Sequence, residues 1–315
     1  MALENIKLIS REKPLYLPFA SSKYRMSMGL NALRIEKWIE PDEYFHDELQ
    51  EKEKLLENRY QEIFSSNTGS FAPQREVLAL LLGHMTTHYS GLLNVTEDEV
   101  GVDGSKRCYS RRDFENSALD LCGRLVQEDF CLMAPGKNGY TLEAASLCFP
   151  SRWRLLDKMG LPMRSIHNPV PEFSDKLAAP VDRFFDYLTV ARPVWRVNWS
   201  VTTDPNLYQP IRRQNPERDV LINESNAGDR IFIRCERQTL RRLSESGWIL
   251  FTIKTYLDKV STLTEYPQMA LNFASLLRDL PEPVLIYKNI LPFKEPLLEY
   301  LDKIGLCTTS DVGHN

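Results

Sequence analysis

The histidines are the first candidates for chemistry, because imidazole readily binds a metal or moves a proton near neutral pH. Of the five, His167 stands in a segment that carries Pro162 ahead of it and Pro169 and Pro171 behind it. A stiff backbone fixes the orientation of a ring at little entropic cost, which suits a metal ligand. The alternative is structural: the imidazole caps a helix or hydrogen-bonds its own loop.

The other histidines are weaker candidates. His84 and His88 are four residues apart and could bind one metal ion from a single helical face. Met85 stands where the zinc-protease motif has its glutamate, however, and no third ligand is evident. We interpret this pair as core or surface histidines. His46 falls on the polar side of a predicted helix, and His314 lies in a polar tail.

Polar side chains also alternate along two predicted strands. Arg196 and Asn198 share one face of the first strand, and Arg234 and Glu236 share one face of the second. In a pocket that excludes water, such groups can hold a small cation or stabilise a developing charge. On a solvated sheet they form ordinary cross-strand pairs, so the alternation by itself leaves both interpretations open.

The order of elements around these residues predicts an antiparallel sheet. Two strand-like runs, 129–134 and 140–149, flank the turn sequence Pro-Gly-Lys-Asn-Gly. The pattern then predicts three short helices, at 152–159, 172–178 and 181–188, around a non-helical crossing at 161–173. Three more strands follow at 194–201, 230–237 and 248–256. This order predicts an α+β fold with helices on one face of the sheet, and a PAS domain is one fold that has it.

Helical patterns precede and follow this sheet. Apolar residues recur at helical spacing over 41–64, as they do over 74–89 and 111–127. The stretch 257–305 is also helical in pattern. We therefore divide the chain into a mainly helical region, a central core and a C-terminal helical segment with a tail, at 1–124, 125–258 and 259–315.

Composition excludes several classes of protein. The chain has 315 residues, 43% of them hydrophobic, which is enough for a sizeable core. A net charge of −4 gives no basic footprint for nucleic acid. No glycine-rich nucleotide motif occurs, and no apolar run is long enough for a signal peptide or a membrane span. Six scattered cysteines without a CxxC motif predict buried thiols in a reducing, cytoplasmic compartment.

Several long phrases of the sequence resemble a known family. They are Leu-Cys-Phe-Pro-Ser-Arg-Trp (147–153), Ile-His-Asn-Pro-Val-Pro (166–171), Arg-Pro-Val-Trp-Arg-Val-Asn-Trp-Ser (192–200) and Phe-Ile-Arg-Cys-Glu-Arg-Gln-Thr-Leu-Arg-Arg-Leu (232–243). With shorter phrases upstream, they extend over roughly residues 15–290. Together they resemble the alpha subunit of the haem-dependent oxidative N-demethylases.

The resemblance implies a fold, a cofactor and a reaction. The family's PAS core holds haem b and oxidises dimethylamine with dioxygen, using electrons from NADPH through FMN and 2Fe-2S on a partner protein. It implies that His167 ligates the iron, with Met159 and Met163 as weaker substitutes. One feature departs from haem-binding PAS sensors, whose ligand lies on the last helix before the sheet. Here that helix, 181–188, contains no histidine.

The resemblance also suggests roles for the polar residues of the strands. The predicted catalytic residues are Glu236, Arg234, Arg196 and Asn198, and the predicted cofactor-binding residues are His167, Trp199 and Arg237. We expect Glu236 to pair with the substrate ammonium, and an arginine or Asn198 to donate to bound oxygen. Trp195 and Trp199 would wall the pocket, with a cation–π contact to the amine. Arg237, Arg241 and Arg242 would neutralise haem propionates or face water.

Two other functions remain compatible with the pattern. One is a haem PAS sensor of gas or redox state without turnover, and the other is a haem-free scaffold in which His167 is structural. A sensor normally carries a kinase, cyclase or DNA-binding output, and no such module is evident here. Because no NADPH or flavin motif occurs, the enzyme interpretation requires a separate reductase.

Overall fold

A seven-stranded antiparallel sheet is the centre of the fold, beside a smaller sheet of three strands. In the computed structural model, residues 8–137, 139–211 and 221–309 are described, with the backbone alone for 307–309. The strands are β1 (Asn31–Ala32), β2 (Phe64–Ser66), β3 (Leu93–Val95), β4 (Glu99–Val102), β5 (Cys108–Ser110), β6 (Asp129–Gly136), β7 (Gly139–Ser146), β8 (Val194–Thr202), β9 (Phe232–Arg242) and β10 (Ile249–Lys259). The large sheet has the order β1-β8-β9-β10-β6-β7-β2, and the small one the order β3-β4-β5.

Helices cover both faces of the large sheet. They are α1 (Phe45–Ile63), α2 (Phe71–His88), α3 (Ala118–Leu125), α4 (Met163–Ile166), α5 (Ala178–Tyr187), α6 (Ala227–Arg230), α7 (Pro267–Asp279), α8 (Glu282–Tyr287) and α9 (Lys294–Thr309). A π-helical turn, Phe173–Leu177, precedes α5. Short 3₁₀ turns lie at Ile35–Lys37, Thr68–Ser70, Arg111–Phe114, Leu155–Asp157, Val260–Glu265 and Leu291–Phe293.

The two faces of the sheet carry different side chains, because successive residues of a strand point in opposite directions. We call the side onto which Arg196, Asn198, Arg234 and Glu236 project the front face. Residues from α4 and α5, among them Met163 and Phe185, pack there against Leu240 and Ile253. The segment that contains His167 therefore covers the front face.

The opposite side, onto which Trp195, Trp199, Arg237, Lys254 and Tyr256 project, is the rear face. Helices from both ends of the chain cover it. Phe45 and Leu81 of the N-terminal helices pack against Leu250 in one cluster. Phe273 and Leu277 of α7 pack near Tyr256 in another. Both faces of the sheet are thus closed to solvent by helical segments.

The five strands predicted for the core are confirmed as β6 to β10, and the fold is α+β with antiparallel sheets. The last two strands are longer than predicted. They pair from Phe232 with Lys259 to Arg242 with Ile249. The strands extend beyond the alternating pattern because each further residue pair can form backbone hydrogen bonds between β9 and β10, even where the sequence is polar.

The helix predicted at 152–159 is wrong. Arg152 adopts a left-handed conformation with φ of 63°, which prevents a helix from beginning there. Ser151 forms a β-bridge with Gln209, and only a 3₁₀ turn of three residues, Leu155–Asp157, forms in the predicted range. Gly160, which ends this segment, adopts a left-handed conformation with φ of 72°, which glycine tolerates without strain.

The crossing at 161–173 is not free of helix, because α4 forms one turn immediately before His167. The predicted break at Pro180 is also wrong. This proline occupies the first turn of α5, where the backbone N–H groups have no partner within the helix in any case. The chain therefore continues as a helix through it.

The N-terminal region contains more strand than the helical pattern predicted. α1 and α2 form close to the expected positions, but the stretch 111–127 divides into a 3₁₀ turn and α3. Strands β3 to β5 were not predicted, because three or four residues are too few to show alternation. Among the described cysteines, Cys108 is exposed, contrary to the prediction, while Cys122, Cys131, Cys148 and Cys235 are buried free thiols.

Candidate functional site on the front face

The four predicted catalytic residues lie together on the front face. β8 and β9 pair so that Asn198 stands opposite Glu236 and Ser200 opposite Arg234. The same register places Arg196 opposite Gln238. Directly opposed residues of an antiparallel pair share a face, with their Cβ atoms about 4.5–5.5 Å apart. The register of two long strands thus assembles one polar cluster.

Glu236 is the carboxylate of this cluster, and its side chain is positioned by amides. Its Oε2 accepts hydrogen bonds from Asn198 Nδ2 at 3.1 Å and from Gln238 Nε2 at 3.0 Å. The residue is only 7% exposed. In the described part of the chain no donor contacts Oε1. A buried carboxylate with one oxygen anchored and the other available can accept a proton or bind a cation.

Two arginines of the front face, the buried Arg234 and the partly buried Arg196, form no ion pair with a carboxylate of the described residues. Arg234 is fully buried, and its Nη2 donates to the carbonyls of Phe149, Pro150 and Leu207 at 2.9, 3.3 and 3.0 Å. Its Nε and Nη1 have no hydrogen-bond partner, and neither has Arg196 Nε. Burial lowers the pKa of both guanidinium groups, while the charge of Glu236 opposes this.

These orphaned donors indicate a ligand site. Thr255, which stands opposite Glu236 on β10, adds a fourth unpartnered polar atom, Oγ1, to the same face. Each buried polar group without a partner costs about 1–3 kcal/mol. A cluster of them on one face is therefore expected where a bound molecule or ordered water supplies the missing partners.

His167 is held in a defined orientation at the end of α4. Its Nδ1 lies 3.0 Å from the carbonyl oxygen of Met163, and its ring stacks on Phe173 with centroids 4.6 Å apart. A carbonyl oxygen only accepts, so Nδ1 carries the proton and Nε2 has a free lone pair. Burial lowers the pKa of His167, and the nearby charge of Arg196 lowers it further. The imidazole is thus neutral, with Nε2 in the form that binds a metal.

Arg237 and Trp199 lie on the rear face, so the structure does not bring them to this cluster. Arg237 donates to the carbonyls of Trp38 and Lys37 and pairs with Glu40 at 3.1 Å. Trp199 packs edge-on against Phe19, with centroids 5.3 Å apart. Strand alternation explains this placement, because both residues are an odd number of positions from their front-face neighbours.

The other residues that the sequence suggested for the site make contacts that stabilise the fold. Arg242 is on the front face but donates to the carbonyls of Leu188, Phe185 and Gly247, so it fastens the end of α5 to the sheet. Arg241 lies over the Trp38 ring, 4.5 Å from its centroid. Met163 packs with the front-face apolar cluster. His314 lies outside the described residues.

His84 and His88 do not form a metal centre. Their rings are 4.7 Å apart, and burial lowers the pKa of His84 to about 4. In the described ranges, no group of three or more His, Cys, Asp or Glu side chains could hold a metal ion. The interpretation of this pair as core or surface histidines agrees with His84 being buried and His88 exposed.

Sequence reasoning missed three residues at or beside the cluster. Gln238 could have been found, because it continues the alternation of Arg234 and Glu236. Lys288 and Arg152 could not, because they come from distant segments that meet the edge of β8. Lys288 Nζ donates to the Trp199 carbonyl at 2.6 Å, and Arg152 donates to the carbonyls of Val201 and Lys288. Two cations thus cap the unpaired end of this strand.

Lys288 brings a further charge close to Glu236. Burial and then the charge of Arg152 lower the pKa of Lys288 to about 8, while Glu236 opposes the change. Beyond Arg152 the surface opens into a cleft of about 460 Å³ that Trp153, Thr202 and Tyr208 help to line. The Lys288 ammonium also lies 4.3 Å from the centroid of the Trp199 ring. The edge of β8 therefore stands between this cleft and the polar cluster.

The chain belongs to the family of haem-dependent oxidative N-demethylase alpha-subunit-like proteins, whose model matches residues 29–298. The matched range contains every residue of the polar cluster and His167. In the described ranges, no helix is long and apolar enough to cross a membrane. The family is one of haem-dependent oxidoreductases, and its designation as an alpha subunit indicates one subunit of a larger assembly.

The front-face residues fit a haem group. A neutral imidazole with a free Nε2, fixed by a backbone carbonyl at Nδ1, is the usual arrangement of a proximal ligand. Orphaned guanidinium donors on the same face suit the carboxylates of a porphyrin or an anionic diatomic ligand. Apolar side chains from α4, α5 and β10 supply the dry wall that such a cofactor needs.

Proposed function

We propose that this chain is the haem-binding subunit of an oxidative N-demethylase, with a PAS-like sheet that holds haem b on its front face. The strand order β7-β6-β10-β9-β8 and the helices between β7 and β8 support the PAS assignment. The proposed substrate is a small secondary amine such as dimethylamine, and the oxidant is dioxygen. A cytoplasmic location accords with the free thiols.

The observation that carries the proposal is the state of His167. The Met163 carbonyl holds its proton on Nδ1, so Nε2 is free beside a face that carries unpartnered donors. The Nδ1 bond to Met163 is one that a structural histidine would also make, so the free Nε2 is the feature that supports a ligand role. We therefore propose His167 as the iron ligand.

The reaction converts a methylamine R–NH–CH₃, dioxygen, two electrons and two protons into R–NH₂, formaldehyde and water. Bound haem supplies the redox chemistry by which dioxygen is activated and the amine oxidised. Glu236 Oε1 binds an N–H of the incoming amine in its ammonium form and takes the extra proton, which leaves the neutral amine. Asn198 and Gln238 keep the carboxylate in place through Oε2. The ammonium form of the amine must lose a proton before the nitrogen has a lone pair to be oxidised, so this carboxylate is the proposed base.

Arg196 and Arg234 are proposed to stabilise negative charge that develops on the oxidant's oxygen atoms. Arg234 is fully buried and Arg196 is partly buried, and a fixed positive charge acts more strongly away from water than in solvent. In this proposal the arginines act on the oxygen atoms of the oxidant, and Glu236 acts on the amine.

Electrons are proposed to come from a separate protein, since the chain has no dinucleotide motif and no CxxC pair. We propose a partner that carries FMN and a 2Fe-2S centre and is reduced by NADPH. The family's designation as an alpha subunit supports such an assembly.

The test is an absorption spectrum of the protein produced with a haem precursor, before and after dimethylamine is added. We expect a Soret band that His167→Ala abolishes and His88→Ala leaves unchanged, because His88 is exposed and remote from the front face. The amine should shift the band, and Glu236→Gln should weaken that shift. Glu245→Gln, a change of an exposed glutamate, is the matched control.

The outcomes separate the competing functions. A Soret band whose position does not change when amines are added would favour a gas or redox sensor. If no Soret band appears even after reconstitution with hemin, the haem assignment is wrong and His167 is structural.

A further inference from the structure

The rear face contains three aromatic side chains in series. The rings of Tyr256 and Tyr16 have centroids 5.1 Å apart and meet edge to face. The ring of Tyr16 lies 5.9 Å from that of Trp195. Tyrosine and tryptophan are the side chains most easily oxidised by one electron, and electrons pass rapidly between rings in contact. The series therefore has the geometry of an electron-transfer route.

Both phenols of the series are bonded to one carboxylate oxygen. Glu40 Oε2 accepts a hydrogen bond from Tyr16 at 2.7 Å and from Tyr256 at 2.8 Å. Arg237 Nε lies 3.1 Å from the same oxygen, which compensates the charge of the buried carboxylate. A phenol that loses an electron becomes a strong acid, so its oxidation near neutral pH requires a base in contact. Glu40 is such a base for either tyrosine.

The series begins next to the front-face site. Trp195 is the neighbour of Arg196 in β8, with its ring on the rear face while Arg196 projects to the front. Tyr256 lies in the centre of the sheet, and the Arg11 guanidinium stands 4.8 Å from its ring and 5.4 Å from that of Tyr44. Tyr44 is 45% exposed. The aromatic series thus begins on the strand that borders the site, and Arg11 lies between its far end, Tyr256, and the exposed Tyr44.

We propose that Trp195, Tyr16 and Tyr256 form a redox relay that carries oxidising equivalents from the front-face site to the phenols on Glu40. This inference rests on the proposed function, which places a strong oxidant on that face. In each event Trp195 gives one electron to the oxidant, and a tyrosine gives one electron to Trp195. The phenolic proton passes to Glu40, which leaves a neutral tyrosyl radical. A small reductant such as ascorbate then returns the electron, and Glu40 returns the proton.

Side-chain chemistry supports a relay over simple packing. Burial and the charge of Glu40 raise the pKa of Tyr16 and of Tyr256, so both keep the proton that oxidation must release. Phenylalanine would fill the same space without burying two hydroxyl groups and the carboxylate that receives them. When no amine is bound, such a relay would remove an oxidant that otherwise damages His167 and the sheet around it.

The test uses haem-loaded protein that is mixed with hydrogen peroxide, without amine, and frozen for electron paramagnetic resonance. We expect a tyrosyl radical that Trp195→Phe abolishes and that Tyr16→Phe strongly reduces. Tyr89→Phe is the matched control, because Tyr89 donates to the Ile39 carbonyl and has no carboxylate partner. Peptide mass spectrometry should find oxidation at Tyr16 or Tyr256 in the unchanged protein. If Trp195→Phe and Tyr16→Phe leave the radical as it is, the relay is refuted.

A second arm distinguishes failure of the relay from failure of the proposed function. The same variants are exposed to photogenerated tris(bipyridine)ruthenium(III), which oxidises aromatic side chains without haem. A tyrosyl signal that depends on Tyr16 and Tyr256 in this arm supports the redox pair even if the chain binds no haem. A signal that is equal in all variants here and with peroxide overturns it.

Discussion

The front and rear faces of the sheet both bury charged groups, but they satisfy them in different ways. On the rear face the cations meet carboxylates: Arg237 pairs with Glu40 at 3.1 Å and Lys254 with Asp42 at 3.1 Å. On the front face Arg196 and Arg234 have no carboxylate partner in the described part of the chain. A buried ion is stable only when its charge is compensated, and the rear network supplies that compensation through its own ion pairs. The arginines of the front face require a further partner, such as a bound ligand, to compensate their charge.

This difference separates a structural network from a binding site. The rear residues connect the N-terminal segment to β9 and β10, as when Tyr16 and Tyr256 both bond to Glu40. On the front face Arg234 bonds β9 to the carbonyls of Phe149, Pro150 and Leu207. Its Nε and Nη1 nevertheless stay buried without a partner among the described residues, at a cost to stability. Groups held in such a costly state are expected where a ligand completes their bonding.

The largest effect should come from breaking the rear network at Asp42. This residue is fully buried and pairs with Lys254 and Arg11. Asp42→Ala leaves Lys254 buried without compensation, so we expect the free energy of unfolding to fall by about 3–5 kcal/mol. Urea denaturation measures the change. Asp302→Ala, which breaks an exposed pair with Arg278, should cost at most about 1 kcal/mol. Equal costs for the two variants would contradict the comparison.

Protonation of His84 should make the free energy of unfolding depend on pH, with an effect of intermediate size. Burial lowers its pKa to about 4, whereas an unfolded histidine titrates near 6.5. The unfolded state therefore binds the extra proton first as the pH falls, and stability is lost between about pH 6.5 and 4. We expect a loss of about 1–3 kcal/mol after allowance for solvent screening.

The measurement is urea denaturation of the unchanged protein and of His84→Phe at pH 7 and pH 4.5. The phenyl ring keeps the edge contact with Trp38, at 5.3 Å between centroids, but cannot take up a proton. The variant should lose less stability on acidification than the unchanged protein. The same loss in both proteins would show that His84 does not carry the effect.

The smallest effect on stability should follow Arg196→Met in the haem-free protein. Among the described residues Arg196 forms no ion pair, and the charge of Glu236 compensates it only in part. An apolar side chain should therefore change the free energy of unfolding by no more than about 1 kcal/mol, towards higher stability. The matched change on the rear face, Arg237→Met, should be clearly destabilising because it leaves Glu40 without its cation. Thermal unfolding of both variants tests this contrast. If Arg196→Met destabilises as strongly as Arg237→Met, the front face is a structural network as well.

Local pattern predicted much of the central fold. The strands β6 to β10 were found because alternation over several residues and the turn before β7 are strong signals. The crossing helix α4 and the left-handed Arg152 were missed, because both depend on contacts with residues remote in the sequence. Arg152 donates to Val201 and Lys288, and those bonds hold its conformation. Short elements carry too little local information to be predicted.

The candidate site was predictable in part for the same reason. Alternation by itself determined that Arg196 shares a face with Asn198, and Arg234 with Glu236, since a strand has a side-chain period of two. The tertiary structure decided that Asn198 stands opposite Glu236, because register depends on how two whole strands pair. It also decided that α4 carries His167 to the front face and that Arg237 meets Glu40 on the rear. Those contacts join segments far apart in the chain, and only the packing of the complete fold brings them together.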